Sequence, residues 1–189
     1  MKQKPKIFII SGPSGSGKTT LYKRLLKGRG LKDKLKKSIS LTTRLRRHNE
    51  KNGRDYEFVS RAEFLRRKKN QEFLEGQNIF GYLYATSKEN VVGILKQNKN
   101  VLLCVDVRGQ KAIKKIFPKA ISIFILPPTI AVLKNRLKGR LTEAKKDLEK
   151  RLTIAKQEIR YAKRYDYVIV NDHLKTALKK LKAIVMKHA

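Results

Sequence analysis

An apolar run that leads directly into a glycine-rich loop constrains this chain more than any other feature of its sequence. The run "IFII" over residues 7–10 is typical of a buried strand, and "GPSGSGKTT" over residues 12–20 follows it. This segment matches the pattern G-x-x-x-x-G-K-[ST]. In that pattern, backbone N–H groups and the N-terminus of the following helix surround phosphate oxygens. The sequence therefore predicts a nucleotide-binding loop between a strand and a helix.

The side chains of this loop have separate predicted tasks. Lys18 is expected to reach the outer phosphates, and Thr19 to offer its hydroxyl to Mg²⁺. Asp106 ends the apolar run "VLLCV" and is a candidate for the magnesium or its water shell, or for the N-cap of the next helix, or for both. The loop residues predicted to contact the nucleotide are Gly12, Pro13, Ser14, Gly15, Ser16, Gly17, Lys18, Thr19 and Thr20.

Continuous apolar runs recur along the chain and alternate with helix-like segments. The runs "NVLLCVD", "ISIFIL" and "YVIVND" are typical of strands covered on both faces. The alternation predicts an α/β fold with a parallel sheet flanked by helices. Two segments interrupt it, an aromatic-rich insertion and a basic helix with a narrow apolar stripe, which is either a lid or a solvated surface helix. The predicted division is a core of residues 1–43, 91–133 and 165–189, an insertion of residues 44–90 and a lid of residues 134–164.

The charge of the chain favours polyanionic partners. The 47 Lys and Arg residues against 15 Asp and Glu give a formal net charge of +32. Lysine is spread along the whole chain, so compositional drift and an affinity for nucleic acid both remain open. The single cysteine excludes an intramolecular disulfide, and no apolar run reaches the ~20 residues of a membrane span. Because the first strand-like run begins by Ile7, we expect no leader peptide and a cytoplasmic protein.

Three arginines follow the strand-like segment "SISLT" of residues 38–42. They are Arg44, Arg46 and Arg47. In open α/β sheets, ligands bind where strands end, and arginine grips phosphate with two parallel hydrogen bonds. This segment is therefore a candidate site for a second, phosphate-bearing substrate, or else it is further surface charge.

Six motifs in a fixed order now identify a resemblance. "GPSGSGKTTL", "SISLTTRLRR", "DYEFVS", "EFLE", "LPP" and "VIVND" lie over roughly residues 6–185, and together they resemble guanylate kinase. The resemblance implies transfer of the γ-phosphate of ATP to GMP, giving ADP and GDP, with Mg²⁺ as cofactor. It also implies a P-loop NTPase core, a small GMP-binding insertion and a helical lid, which match the three parts predicted above.

The resemblance carries roles to particular residues. Glu75 of "EFLE" is implied to read guanine, and the hydroxyls of Ser40 and Thr86 to donate to its O6. Asn171 matches a residue near the adenine of ATP. The phosphate of GMP is implied to lie on Arg44, Arg47, Tyr56 and Tyr84, and Asp106 is also counted among the substrate-binding residues. The residues implied to stabilise the transferred phosphoryl group are Lys18, Arg44, Arg136, Arg140 and Arg151.

The chain departs from the family pattern at a few positions. An acidic residue is usual where Cys104 stands, and the other departures are Arg46, Leu83, Ala85 and Leu141. They bear on turnover rate and lid geometry, and the sequence leaves a monomer or a homodimer open. Three other functions each agree with part of the sequence. A peptide-binding relative would typically lose Lys18, and a kinase for another acceptor, such as a ribose phosphate, would lack Glu75. A nucleic-acid-binding protein would have an affinity that falls steeply with salt.

Overall fold

A parallel sheet built from the continuous apolar runs forms the core of the protein. The computed structural model describes residues 4–138 and 145–189. Every neighbouring pair of strands in this sheet is parallel. In spatial order the strands are β2 (Leu35–Lys37), β7 (Asn100–Cys104), β1 (Ile7–Ser11), β8 (Ile121–Leu126) and β9 (Tyr167–Val170).

Helices cover both faces of this sheet, which is why its strands show no polar alternation. Phe8 and Ile10 pack towards α1 (Lys18–Leu26) and α7 (Leu174–His188). Because side chains alternate along a strand, Ile7 and Ile9 point the other way, towards α3 (Lys88–Lys96) and α4 (Val107–Ile116). The predicted α/β fold is confirmed. Helix α7 packs on the sheet through an apolar stripe, since Ala177, Leu181 and Val185 are fully buried.

A second, smaller sheet contains the aromatic-rich segment. Its strands, in spatial order, are β4 (Glu57–Phe58), β3 (Ser40–Thr42), β6 (Tyr82–Ser87) and β5 (Phe73–Ile79). The hairpin between β5 and β6 turns at Phe80 and Gly81, both with positive φ, as tight hairpins require. Helix α2 (Arg61–Lys69) packs on this sheet through Phe64. In chain order this sheet begins at Ser40, so the end of "SISLT" belongs to it, and β2, the edge strand of the core sheet, lies just before that segment. The division at residue 44 stays a prediction.

Two helices lie over the carboxyl edge of the core. They are α5 (Ile130–Lys138) and α6 (Lys145–Arg160), and a 3-10 turn over Tyr161–Arg164 leads on to β9. The predicted narrow stripe of α6 is present, since Leu148 and Ala155 are buried against Leu133 and Leu137 of α5. No helix within the described ranges combines the length and the apolar character needed to cross a membrane.

Candidate active site

The glycine-rich loop at the end of β1 has a backbone that only glycine adopts easily. Gly15 and Gly17 have φ of 87° and 93°. A side chain at Gly17 would also place its Cβ 2.2 Å from Nδ2 of Asn171. Helix α1 starts directly after Gly17, without a side-chain cap and without an acidic residue in its first turn. Its first N–H groups and the positive end of its dipole therefore face the loop, as an anion site requires.

Polar side chains inside this loop suit a phosphate. Lys18 donates hydrogen bonds from Nζ to the carbonyl oxygens of Gly12 and Pro13, the latter at 3.0 Å. The Oγ atom of Ser16 is fully buried and has no hydrogen-bond partner among the described residues. Thr19 is exposed in the first turn of α1, beside Lys18. A buried orphan hydroxyl and a cation thus lie in the loop where phosphates are predicted, and the exposed Thr19 follows directly in the chain.

Asn171, immediately after β9, fixes the shape of the loop. Its side-chain Nδ2 donates to the carbonyl oxygen of Ser16 at 2.8 Å, and its backbone N–H donates to that of Leu126 at 2.8 Å. Arg136 of α5 donates in turn to the carbonyl oxygen of Asn171 at 3.3 Å. Asn171 is therefore a support of the phosphate loop, and its implied place near adenine stays a prediction.

Asp106 caps helix α4. Its Oδ1 accepts a hydrogen bond from the N–H of Gly109 at 2.8 Å, and its Oδ2 lies 3.3 Å from Nε of Arg108. The capping role is thus observed, and the magnesium role stays a prediction. Within the described ranges, no group of three His, Cys, Asp or Glu side chains could hold a metal. The hydroxyl of Thr19 and the carboxylate of Asp106 are oxygen groups of the kind that Mg²⁺ binds together with phosphates and water.

The second sheet brings together the side chains predicted to read a base. Glu75 is buried on β5, and its Oε1 accepts a hydrogen bond from Oγ1 of Thr86 at 2.6 Å. Ser40 is opposite Thr86 in the register of β3 and β6. Burial, together with the charge of Asp106, raises the pKa of Glu75 to about 7. A Cβ at Gly109 would lie 2.8 Å from Oε2 of Glu75, so the first turn of α4 closes this pocket from the core side.

A cluster of aromatic rings and one arginine lies beside this pocket. Nε of Arg44 donates to the hydroxyl of Tyr84 at 3.2 Å, and its NH2 group donates to both carboxylate oxygens of Glu50, at 2.8 and 2.9 Å. The rings of Tyr56 and Tyr84 are 6.0 Å apart between centroids. Arg44, Tyr56 and Tyr84 therefore converge, whereas Arg47 is exposed. Sequence reasoning missed Glu50, whose only signal is its acidity within an otherwise basic segment.

Comparison with known proteins decides the family. The sequence model described as "Guanylate kinase" matches residues 4–188. Guanylate kinases of Dechloromonas aromatica (strain RCB) and Rickettsia prowazekii (strain Madrid E) are each 42% identical to this chain, over 95% of it and 87% of the first relative, and over 98% of it and 92% of the second. The crystal structure of guanylate kinase from Anaplasma phagocytophilum superposes with a TM-score of 0.81 at 31% identity, covering 99% of this chain and 87% of that one.

The chain belongs to the guanylate kinase family. The reaction implied by the sequence motifs is therefore established: the chain is a nucleoside monophosphate kinase that transfers a phosphoryl group from ATP to GMP. As a P-loop protein of this family, it has the fold expected from the strand and loop pattern.

Helix α6, which lies in the predicted lid, touches the hairpin of the second sheet. The guanidinium of Arg151 on α6 lies over the ring of Phe80, 5.2 Å from its centroid, at the tip of the β5–β6 hairpin. Arg108 of α4 also reaches the hairpin, donating to the carbonyl oxygen of Asn78 at 2.9 Å. Helices α4 and α6 thus both contact the second sheet at this hairpin. Arg140 and Leu141, both named from the sequence, lie outside the described residues.

Two residues that depart from the family pattern, Ala85 and Cys104, have defined contacts or neighbours in the structure. Ala85 is buried against Leu41 and Phe64 in the small core of the insertion. Cys104 is half-buried at the end of β7, within the electrostatic influence of Lys37. The ammonium of Lys37 lies over the rings of Tyr22 and Tyr56, 5.2 and 5.5 Å from their centroids. Burial lowers the pKa of Lys37, so Cys104, where the family pattern predicts an acidic residue, lies near a partly desolvated cation.

Proposed function

We propose that Glu75, Ser40 and Thr86 read the guanine of GMP. The N1–H and 2-amino groups of guanine are adjacent donors, and an ionised carboxylate accepts from both, whereas adenine lacks that pair. In the structure the single hydroxyl proton of Thr86 is given to Glu75. When Thr86 turns to donate to O6, it releases that carboxylate oxygen for the base. The juxtaposition of Glu75 and Thr86 in a buried pocket is the observation that carries this assignment.

We further propose that Arg44, Arg47, Tyr56 and Tyr84 hold the phosphate of GMP. The two carboxylate contacts from Glu50 fix the guanidinium of Arg44 beside the Tyr84 hydroxyl. A phosphate oxygen of GMP is ionised at neutral pH and is already a competent nucleophile. The acceptor side therefore needs positioning and charge, not a strong general base.

On the donor side, the loop from Gly12 to Thr20 is proposed to hold the phosphates of ATP. Its N–H groups and Lys18 surround the phosphate oxygens, and Asn171 supports the loop near the adenine. A magnesium ion, bound to the Thr19 hydroxyl and through water to Asp106, would supply charge neutralisation at the outer phosphates. Arginines of the lid stabilise the charge that spreads over the transferred group. They are Arg136, Arg140 and Arg151.

The order of motifs, the single cysteine and the charge of the chain are the basis for three wider proposals. We propose the division into core, GMP-binding insertion of residues 44–90 and lid of residues 134–164. A cytoplasmic location agrees with the single free cysteine. The net charge of +32 supports a non-specific, salt-sensitive affinity for nucleic acid as a side property. The expectation of a monomer or a homodimer stays a prediction.

A coupled assay for ADP formation tests the proposed acceptor site. GMP, AMP, CMP, UMP and ribose phosphates are offered in separate reactions with ATP and Mg²⁺, and a reaction without Mg²⁺ is the control for the cofactor. Transfer to GMP alone, dependent on Mg²⁺, is expected. Equal transfer to AMP would contradict the role of Glu75 as the guanine reader, and full activity without any divalent cation would contradict the proposed magnesium site.

A further inference from the structure

A lysine at the junction of the two sheets has no role in the scheme above. Lys37 is the last residue of β2, the edge strand of the core sheet, and β3 of the second sheet begins at Ser40. The preceding residue Lys36 is exposed and Lys37 is half-buried, because successive side chains of a strand point to opposite sides. Lys37 thus lies where the chain crosses from the core to the sheet that carries the residues proposed to bind GMP.

The ammonium group of Lys37 lies over two tyrosine rings. Its Nζ is 5.2 Å from the centroid of Tyr22, on the helix that follows the phosphate loop, and 5.5 Å from the centroid of Tyr56. Both distances are within the ~6 Å at which a cation is attracted to the face of an aromatic ring. Tyr22 belongs to the core, and Tyr56 directly precedes β4 of the second sheet. A single charge therefore links the two parts of the protein.

The same ammonium group also holds the backbone next to Tyr56. Nζ of Lys37 donates a hydrogen bond to the carbonyl oxygen of Asp55 at 2.8 Å. The carboxylate of Asp55 is buried, and it accepts hydrogen bonds from Lys23 of α1 and from the backbone N–H of Lys51, the latter at 3.0 Å. Two lysines of the core thus hold Asp55, one through its carbonyl group and one through its side chain. Because Tyr56 is the next residue, these contacts also set its position relative to the core.

Tyr56 also contacts the side chains that are proposed to hold the phosphate of GMP. The guanidinium of Arg44 lies over the Tyr56 ring, 5.6 Å from its centroid, and the ring of Tyr84 makes an edge contact with it at 6.0 Å. Rings and cations therefore alternate from the helix of the phosphate loop to the acceptor site. Their order is Tyr22, Lys37, Tyr56 and Arg44. Loss of the Lys37 charge would break this series at one point and leave Arg44 itself unchanged.

We propose that Lys37 is a positioning residue of the acceptor site, which holds Tyr56 in place for the phosphate of GMP. The inference rests on the proposed role of Tyr56 at that phosphate. Lys37 contacts the ring of Tyr56 and the carbonyl group before it, so it acts through Tyr56 and not on the substrate. Phosphoryl transfer depends mainly on positioning and charge, so a displaced ligand of the acceptor weakens the reaction. Loss of Lys37 should therefore weaken the binding of GMP and leave that of ATP unchanged.

The test compares substitutions at two neighbouring lysines of β2. Lys37→Met removes the charge and keeps an apolar stem, whereas Lys37→Arg keeps a charge that also stacks on aromatic rings. Lys36→Met removes an equal charge from the exposed neighbour. The KM for GMP and the KM for ATP of each full-length chain are measured in the coupled assay with Mg²⁺.

The two KM values should respond differently. In Lys37→Met the KM for GMP should rise about tenfold, since a desolvated cation over aromatic rings acts at this scale, and the KM for ATP should change less than about twofold. Lys37→Arg and Lys36→Met should both keep the values of the unsubstituted chain. Lys37→Gln is a second neutral variant that can still donate to the Asp55 carbonyl, and it replaces Lys37→Met if loss of that hydrogen bond prevents folding. Tyr56→Phe removes the hydroxyl proposed to bind the phosphate, and it should also raise the KM for GMP.

The outcomes separate this inference from the proposed acceptor site. An unchanged KM for GMP in the neutral Lys37 variants, with a raised one in Tyr56→Phe, would overturn the role of Lys37 and leave the acceptor site intact. Equal effects of Lys37→Met and Lys36→Met would also overturn it, because the cause would then be long-range charge. A lower thermal unfolding midpoint with similar rises in both KM values would show a purely structural residue. An unchanged KM for GMP in Tyr56→Phe would contradict the proposed role of Tyr56, and the inference would fail with it.

Discussion

The substitution Glu75→Gln should separate the stability of this protein from its substrate specificity. Glu75 is buried, and it accepts a hydrogen bond from Thr86 that a glutamine oxygen can also accept. The change therefore keeps the shape and the Thr86 contact. It replaces one carboxylate oxygen by an NH₂ group that donates, and it removes a buried charge that lowers the stability of the folded state.

The stability change follows from the pKa of the buried acid. The pKa of Glu75 rises from 4.5 to about 7 because burial disfavours the charged form. Between these two values the folded state binds more protons than the unfolded state, so this group's contribution to stability is lost as pH rises from 4.5 to 7. At 1.36 kcal/mol per pKa unit, the loss is up to about 3 kcal/mol. Glu75→Gln avoids it, so the variant should match the unsubstituted protein at pH 4 and be more stable by up to about 3 kcal/mol at pH 8.

Activity should move in the opposite direction. The glutamine NH₂ group would face the N1–H and 2-amino donors of guanine, so the two charge-assisted hydrogen bonds would be lost. The kcat/KM for GMP should therefore fall by about 10²–10³-fold, and the preference for GMP over AMP should narrow. In the unsubstituted enzyme, kcat/KM for GMP should also fall as pH drops below 7, because the carboxylate must be ionised to accept from the base. Urea unfolding at pH 4 and pH 8, with the coupled assay across the same range, measures both effects.

Two results would refute this reasoning. If Glu75→Gln were less stable than the unsubstituted protein at pH 8, the ionised carboxylate would stabilise the fold. The inferred free-energy cost of burying its charge would then be wrong. If the GMP over AMP preference were unchanged, another group would read the base.

Two further substitutions test the loop and the departure at β7. Lys18→Ala should lower kcat by at least about 10²-fold with an unchanged circular dichroism spectrum, because it removes the cation at the transferred phosphate; near-normal turnover would exclude its assigned role. Cys104→Asp should give equal or higher kcat, since the new carboxylate would face the partly desolvated Lys37 as an ion partner; a large loss in the coupled assay would show that the site has adapted to the thiol.

Local patterns predicted the core well because each buried strand is a short, continuous apolar run. "IFII", "NVLLCVD", "ISIFIL" and "YVIVND" all became neighbours in one sheet. The phosphate loop was predicted equally well, because its backbone geometry requires glycine at single positions such as Gly17. The grouping of Glu75 with Thr86 came from the resemblance, because no local pattern shows that two residues eleven apart will be opposite each other in a hairpin.

Contacts between distant segments were beyond sequence reasoning. The support of Ser16 by Asn171 and the stacking of Arg151 on Phe80 join residues that no spacing rule connects. The split of residues 35–42 into an edge strand of the core and a strand of the insertion was also missed, because three-residue strands carry too few side chains to show a period.

The hydrogen bond from Asn171 to Ser16 joins residues 155 positions apart, and it has a consequence for synthesis. The phosphate loop leaves the ribosome well before its support, which follows it in the chain by that distance. A growing chain therefore contains the complete loop sequence long before Asn171, which follows β9, can support the loop. Nascent chains that end before β9 should not bind ATP, so nucleotide binding begins only after Asn171 has been synthesised.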